Sequence, residues 1–160
     1  LHFHYLYRVN PWTQILMLLQ RSLYAEEMVC AMSSQLFHIP KTKDLKGNSE
    51  MHNHLVPASY HRITAVGSAQ RLTNGEQQPS IVETMTACII HAENQDKKVR
   101  DGLKIMEENA TPDFRPFIKL IIQWQNQAES YLSQTKTALK SMGISFPIES
   151  EPQSGEYNVY

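Results

Sequence analysis

A helical bundle can hold two iron ions when two helices each supply a Glu and the other two each supply a Glu-x-x-His pair, because that spacing turns both ligands to one inward face. The first helical segment of the chain offers Glu26, with Glu27 beside it. The second offers His61, but Ala58 stands where the Glu would be. The third offers Glu83, His91 and Glu93, and the fourth offers Glu129, with Leu132 in place of the His. The complete constellation is absent, and Glu26 is its best-placed remnant. The densest histidine group is His52-Asn53-His54 with His61 nearby. Imidazoles so grouped can take zinc or copper, although no Cys or acidic cluster at metal-site spacing completes the set. His2 and His4 form a second, terminal pair. There is no nucleophile elbow, Ser/His/Asp signature or Gly-rich phosphate loop, so no catalytic residue is assigned.

Four segments must position these groups. The first spans about 11–38, with Pro11 at a first helical position and Pro40 as its stop. Trp12, Leu16, Leu19, Leu23, Cys30 and Phe37 recur on a seven-residue repeat that also turns Glu26 and Ser33 inward. The second spans about 50–73, either kinked at Pro57 or regular only from there. It has Ser49 or Asn48 as its cap, Tyr60, Ile63, Val66 and Ala69 as its apolar stripe, and Asn74-Gly75 as its end. The third spans about 80–108 and opens with a Ser80-to-Glu83 capping box. Its face is Ile81, Met85, Cys88, Ala92, Val99, Leu103 and Met106, with Gln95 among them. The fourth spans about 112–142 and ends at Gly143, with a seam of Phe117, Ile121, Trp124, Ala128, Tyr131, Thr135, Ala138 and Met142. The spacing predicts an all-α, antiparallel four-helix bundle over residues 1–148, followed by an acidic tail over 149–160.

The chain has 160 residues, 41% hydrophobic and 19% charged, which suits one domain with a core. A formal net charge of −1 gives no general attraction to nucleic acid or to an anionic membrane. Lys41, Lys43 and Lys46 lie in one loop without interleaved aromatics, so nucleic-acid binding is not expected there. No run reaches the roughly 18–20 apolar residues of a membrane span, and residues 1–8 lack a signal-peptide pattern. Cys30 and Cys88 read as buried free thiols, with a disulfide between them as the alternative. Together these features point to the cytoplasm. Trp12 and Trp124, on apolar seams, read as core.

Three stretches resemble the Dps proteins, small ferritins of bacteria. In the first, Leu23-Tyr24 and Phe37-His38-Ile39 are similar to the family's helix ending in Phe-His-Trp. In the second, Tyr60, Ile63, Val66, Ala69, Arg71, Leu72, Gly75 and Pro79 follow the order of a Tyr…Ala-Glu-Arg-Ile…Leu-Gly-Gly-x-Pro pattern. The third runs from His91 through Lys98-Val99-Arg100, Glu107-Glu108 and Asp113 to Leu120-Ile121-Ile122. The resemblance implies a ferritin-like subunit, a twelve-subunit cage and iron oxidation at a subunit interface. Residue by residue, it carries His38 over as one ligand and His52 or His54 as another. The family's acidic pair has no counterpart, because 63–71 contains no Asp or Glu and Gln70 stands where the Glu is expected.

The expectation is therefore a homo-oligomeric, Dps-related bundle subunit with an altered or lost di-iron site. Ferroxidase activity is expected to be weak or absent. Any iron or other divalent metal would fall to His38, His52, His54 and Glu26. The alternative is a non-enzymatic helical structural or interaction subunit of a larger complex.

Overall fold

The structure, a computed structural model, describes residues 10–147. The predicted tail over 149–160 and the His2/His4 pair lie outside the described residues. Four long helices make up the fold: α1 (Pro11–Gln35), α2 (Asn48–Thr73), α3 (Pro79–Asn109) and α4 (Arg115–Ser141). A 3-10 turn, Leu36–His38, tightens the end of α1. No strand occurs among the described residues, and none of their helices is long and apolar enough to cross a membrane.

Residue pairs along the seams set the directions. Glu26 meets Arg62 and Ser33 meets Asn48, so α1 and α2 run antiparallel. His54 meets Gln95 and Met51 lies against Gly102, so α2 and α3 do too. Arg100 reaches Glu129, and Ser22 reaches Ala128, which closes the ring through α4. The result is an up-down-up-down, antiparallel four-helix bundle with α1 diagonal to α3 and α2 diagonal to α4.

Local chemistry explains the helix ends. Asn10 caps α1 by accepting the Trp12 N–H at 3.0 Å, one residue before Pro11. Gly75 and Gly143, both at positive φ, terminate α2 and α4, where the N–H groups of Glu76 and Ile144 close back on the carbonyls of Arg71 and Leu139 at 3.1 Å. The expected capping box does not form. Pro79 opens α3 one residue early, because its fixed φ suits the first turn, and the N-cap is Gln78 without a side-chain bond. Nor does Ser49 or Asn48 cap α2. Gly47, at φ 96°, makes that entry, and α2 runs unbroken through Pro57.

The α3 face follows the sequence reading residue for residue: Ile81, Met85, Cys88, Ala92, Gln95, Val99, Leu103 and Met106 are all buried. The α2 stripe does not. Tyr60 and Ile63 are exposed, and the buried seam is Met51, Leu55, Ala58, Arg62, Ala65, Ala69 and Leu72. On α1 and α4 the seam is rotated slightly: Ile118, Gln125, Leu132 and Leu139 take the core, while Phe117, Trp124, Tyr131 and Ala138 line its rim. Trp12 and Trp124 are therefore only half-buried. Both cysteines are free, but Cys30 is exposed; only Cys88 is buried, which raises its thiol pKa.

The core is divided. One apolar cluster gathers Ile15, Leu19, Ala65, Leu72, Met85 and Leu132; the other gathers Val29, Leu36, Leu55, Val99, Leu103 and Ile121. In every helix the buried residues between the two clusters are polar or small.

Near one end, α2 and α3 approach so closely that only glycine fits. A Cβ on Gly102 would stand 2.7 Å from the Met51 Cβ, and one on Gly47 would stand 2.8 Å from the Gly102 carbonyl. Alanine favours helix by about 1 kcal/mol over glycine, but overpacking costs about 1–3 kcal/mol. Gly102→Ala is expected to lower stability in chemical denaturation; a gain would show that the helices separate freely here.

Candidate functional site: the buried polar layer

Between the two apolar clusters lies one layer of polar side chains drawn from all four helices. Arg62 of α2 sits at its centre and is fully buried. Ala58 and Ala65, one turn before and after it on the seam, leave room for the guanidinium. Arg62 Nε donates to Ser22 Oγ of α1 at 2.9 Å. Its two terminal nitrogens donate to both oxygens of Asp96 of α3, at 2.8 and 2.7 Å. The first of them also donates to Glu26 Oε2 of α1. Ser22 spends its own proton on the Ala128 carbonyl of α4 at 2.7 Å. Arg62 therefore links three helices directly and the fourth through Ser22, with the planar fork that bidentate carboxylate pairing requires.

The charges in this layer are unequal. Arg62 carries one positive charge against two buried carboxylates, both at most 2% exposed. Burial pushes the Glu26 carboxyl up from 4.5 to about 7; Arg62 opposes the shift and Asp96 adds to it. Burial also works against the charge on Arg62, but Glu26 and Asp96 more than offset it and hold the guanidinium protonated. Glu26 Oε1 and Gln125 Oε1 are buried without a hydrogen-bond partner. Protonation of Glu26 removes the excess charge and supplies a hydroxyl donor.

The predicted ligands are placed as follows. Glu26 lies in this layer, and its partner is the Arg62 guanidinium. His38 is exposed on the 3-10 turn. His52 Nε2 lies 2.9 Å from Ser33 Oγ, whose only proton goes to the Val29 carbonyl at 2.7 Å, so His52 is the donor. Burial lowers the His52 pKa. Ser33 is wholly buried with its proton engaged, so the Ser33–His52 pair is structural rather than nucleophilic. His54 Nδ1 is 2.9 Å from Gln95 Oε1. His61 faces His91 across α2 and α3 with ring centroids 5.0 Å apart. Its pKa falls to about 4, first from burial and then from His91.

Among the described residues, no group of three or more His, Cys, Asp or Glu could hold a metal ion. His38, His52, His54 and Glu26 are not brought to one point. Within one chain, the residues do not fit the in-bundle pattern of two Glu and two Glu-x-x-His pairs. Glu26 and Asp96 stand on diagonal helices, as that pattern asks, but the Glu-x-x-His positions on the other diagonal fall on Ser59/Arg62 and Gln125/Ala128. A guanidinium fills the space between the carboxylates. Sequence reasoning passed over Arg62 and Asp96. The available signal was a four-three spacing, Met51-Leu55-Ala58-Arg62-Ala65-Ala69-Leu72, that carries one charged residue inward.

Folding takes up a proton on Glu26 between pH 4.5 and about 7. Stability from this group is full below 4.5, falls as pH rises to about 7 and is level above it. His61 acts in the opposite sense: its contribution is full above 6.5 and is lost as pH falls towards about 4. Glu26→Gln keeps the neutral form. Its stability relative to the parent should rise between pH 5 and 8 in urea denaturation, and a constant difference would count against proton uptake at Glu26. Arg62→Leu strands two buried carboxylates and is expected to cost about 3–5 kcal/mol at neutral pH, measured the same way.

No protein-family model matches the chain, and no curated protein and no solved structure shows significant similarity to it.

Proposed function

We propose that the protein is a non-enzymatic helical subunit that works by assembling, with its bundle locked internally by Arg62 in place of any metal. The observation that carries this reading is the guanidinium between Glu26 and Asp96. A buried cation there leaves no room for an oxidisable metal pair and sets one positive charge between the two carboxylates. The rest of the molecule fits an assembly role. Met17, Tyr24, Val56, Tyr60, Ile63 and Leu120 are large apolar side chains left exposed.

The second reading is a ferritin-like, Dps-related cage subunit that has lost its iron site. The likeness of Phe37-His38-Ile39 and of the Tyr60-to-Pro79 order to that family supports it. The connection between α2 and α3 does not: residues 74–78 join them directly, where ferritins use a long crossover.

Light scattering on the eluting protein separates the two. A small homo-oligomer or a stable heteromer is expected; a species of about 220 kDa, twelve copies of the 18.4 kDa chain, would favour the cage. A monomer at every concentration, with no partner retained, would overturn the assembly role. Stoichiometric uptake of two ferrous ions per chain with oxygen consumption would overturn the non-enzymatic reading.

A further inference from the structure

The strongest apolar stripe on α2 faces away from the bundle. Val56, Tyr60 and Ile63 are 51%, 46% and 54% exposed and lie four and three residues apart. Gly67 continues the same face four residues on, exposed, with nothing within 4 Å of the position a Cβ would take. Over residues 51–70 the only Asp, Glu, Lys or Arg is the buried Arg62. The outer faces of the other helices differ: α3 exposes Lys97, Lys98, Arg100, Asp101 and Lys104, and α4 exposes Lys119 and Lys140. An outer face that is apolar and carries no charge over about five turns is the pattern of a face covered by a partner.

We infer that this face of α2 is a two-fold interface, occupied by α2 of a second copy of the chain running antiparallel. The inference refines the assembly role proposed above by naming its surface and its partner. Three features select a second copy over a different protein. First, the spacing of Val56, Tyr60, Ile63 and Gly67 is four, three, four, so an antiparallel copy sets each of the four at the height of another of them, as in a self-complementary isologous contact. Second, antiparallel pairing sets Val56 over Gly67 of the second copy, where there is open space, and Tyr60 against Ile63 of the second copy. Large side chains thus meet small ones or gaps. Third, the charges at the two ends are complementary. Exposed Glu50 lies at the start of α2 and exposed Arg71 at its end, so pairing brings each Glu50 towards the opposite Arg71, which already holds Glu76 at 2.9 Å. An uncharged strip gives a charged partner nothing to pair with, whereas a copy of itself loses no ionic hydration.

The test uses the full chain in sedimentation equilibrium over a wide concentration range. The parent protein is expected to form a reversible dimer, or a larger species built from dimers. Ile63→Asp and Val56→Lys are each expected to weaken association at least tenfold while leaving the melting temperature of the separated chain close to the parent's, because both side chains are about half exposed. A photo-crosslinking phenylalanine at position 60 should give a homodimer whose adduct maps near Ile63. If the parent associates but both variants associate as tightly as it does, or the adduct maps to another helix, this interface is wrong and the assembly role stands. If the parent is monomeric throughout and bound to no other protein, both fall. If it co-purifies in a heteromer that Ile63→Asp dissociates, the surface is right but the second-copy partner is overturned.

Discussion

Everything in this bundle is arranged around a guanidinium that has no access to water. Arg62 is stable there only if Ser22, Glu26 and Asp96 arrive together, from two other helices, at hydrogen-bonding distance. Moving one helix by a single turn would leave an unpaired buried charge, which costs several kcal/mol. The network adds little net stability over a well-packed apolar layer of the same volume. What it contributes is register: two apolar clusters could slide past each other with small penalties, but the layer between them has one alignment. Ser22 extends that alignment to α4 through the Ala128 carbonyl.

Much of the fold was legible in the sequence, and where it was not, the reason is physical. The α3 face came through intact because α3 is apolar on one side and charged on the other, so periodicity has a single solution. On α2 there are two solutions. Tyr60 and Ile63 outweigh Ala58, Ala65 and Ala69 on any hydrophobicity scale, yet the small residues face inward because the core has to hold an arginine side chain. Reading by size put α2 on the wrong face. Glu26 was placed correctly by its heptad position, and its partner was missed for the same reason: once Tyr60 and Ile63 are turned inward, Arg62 points outward. Charge reasoning would have corrected the error, since a buried carboxylate needs a cation and residues 51–70 contain only one.

The histidines show how far composition can mislead about chemistry. Seven in a chain of 160 residues suggest metal binding, and the grouping at 52–61 strengthens the suggestion. Each ring on α2 has other work. His52 holds Ser33, His54 holds Gln95, and His61 stacks against His91. Because α2 is a continuous helix from Asn48, His54 and His61 lie about two turns apart on the side of α3 while His52 faces α1, and no single ion can reach all three. Had the helix begun at Pro57, His52 and His54 would have lain on a loop, free to converge.

The division of the core into two clusters bears on how the molecule comes apart. A single continuous core tends to open as a whole. Here the interior is two smaller apolar regions with a polar layer between them, and each region is capped by its own connections. Fraying at one end can proceed as far as Arg62 without disturbing side chains on the far side. Backbone amides near Ile15 and Leu72 and those near Leu36 and Met106 are therefore expected to open separately, each group with its own protection against solvent exchange.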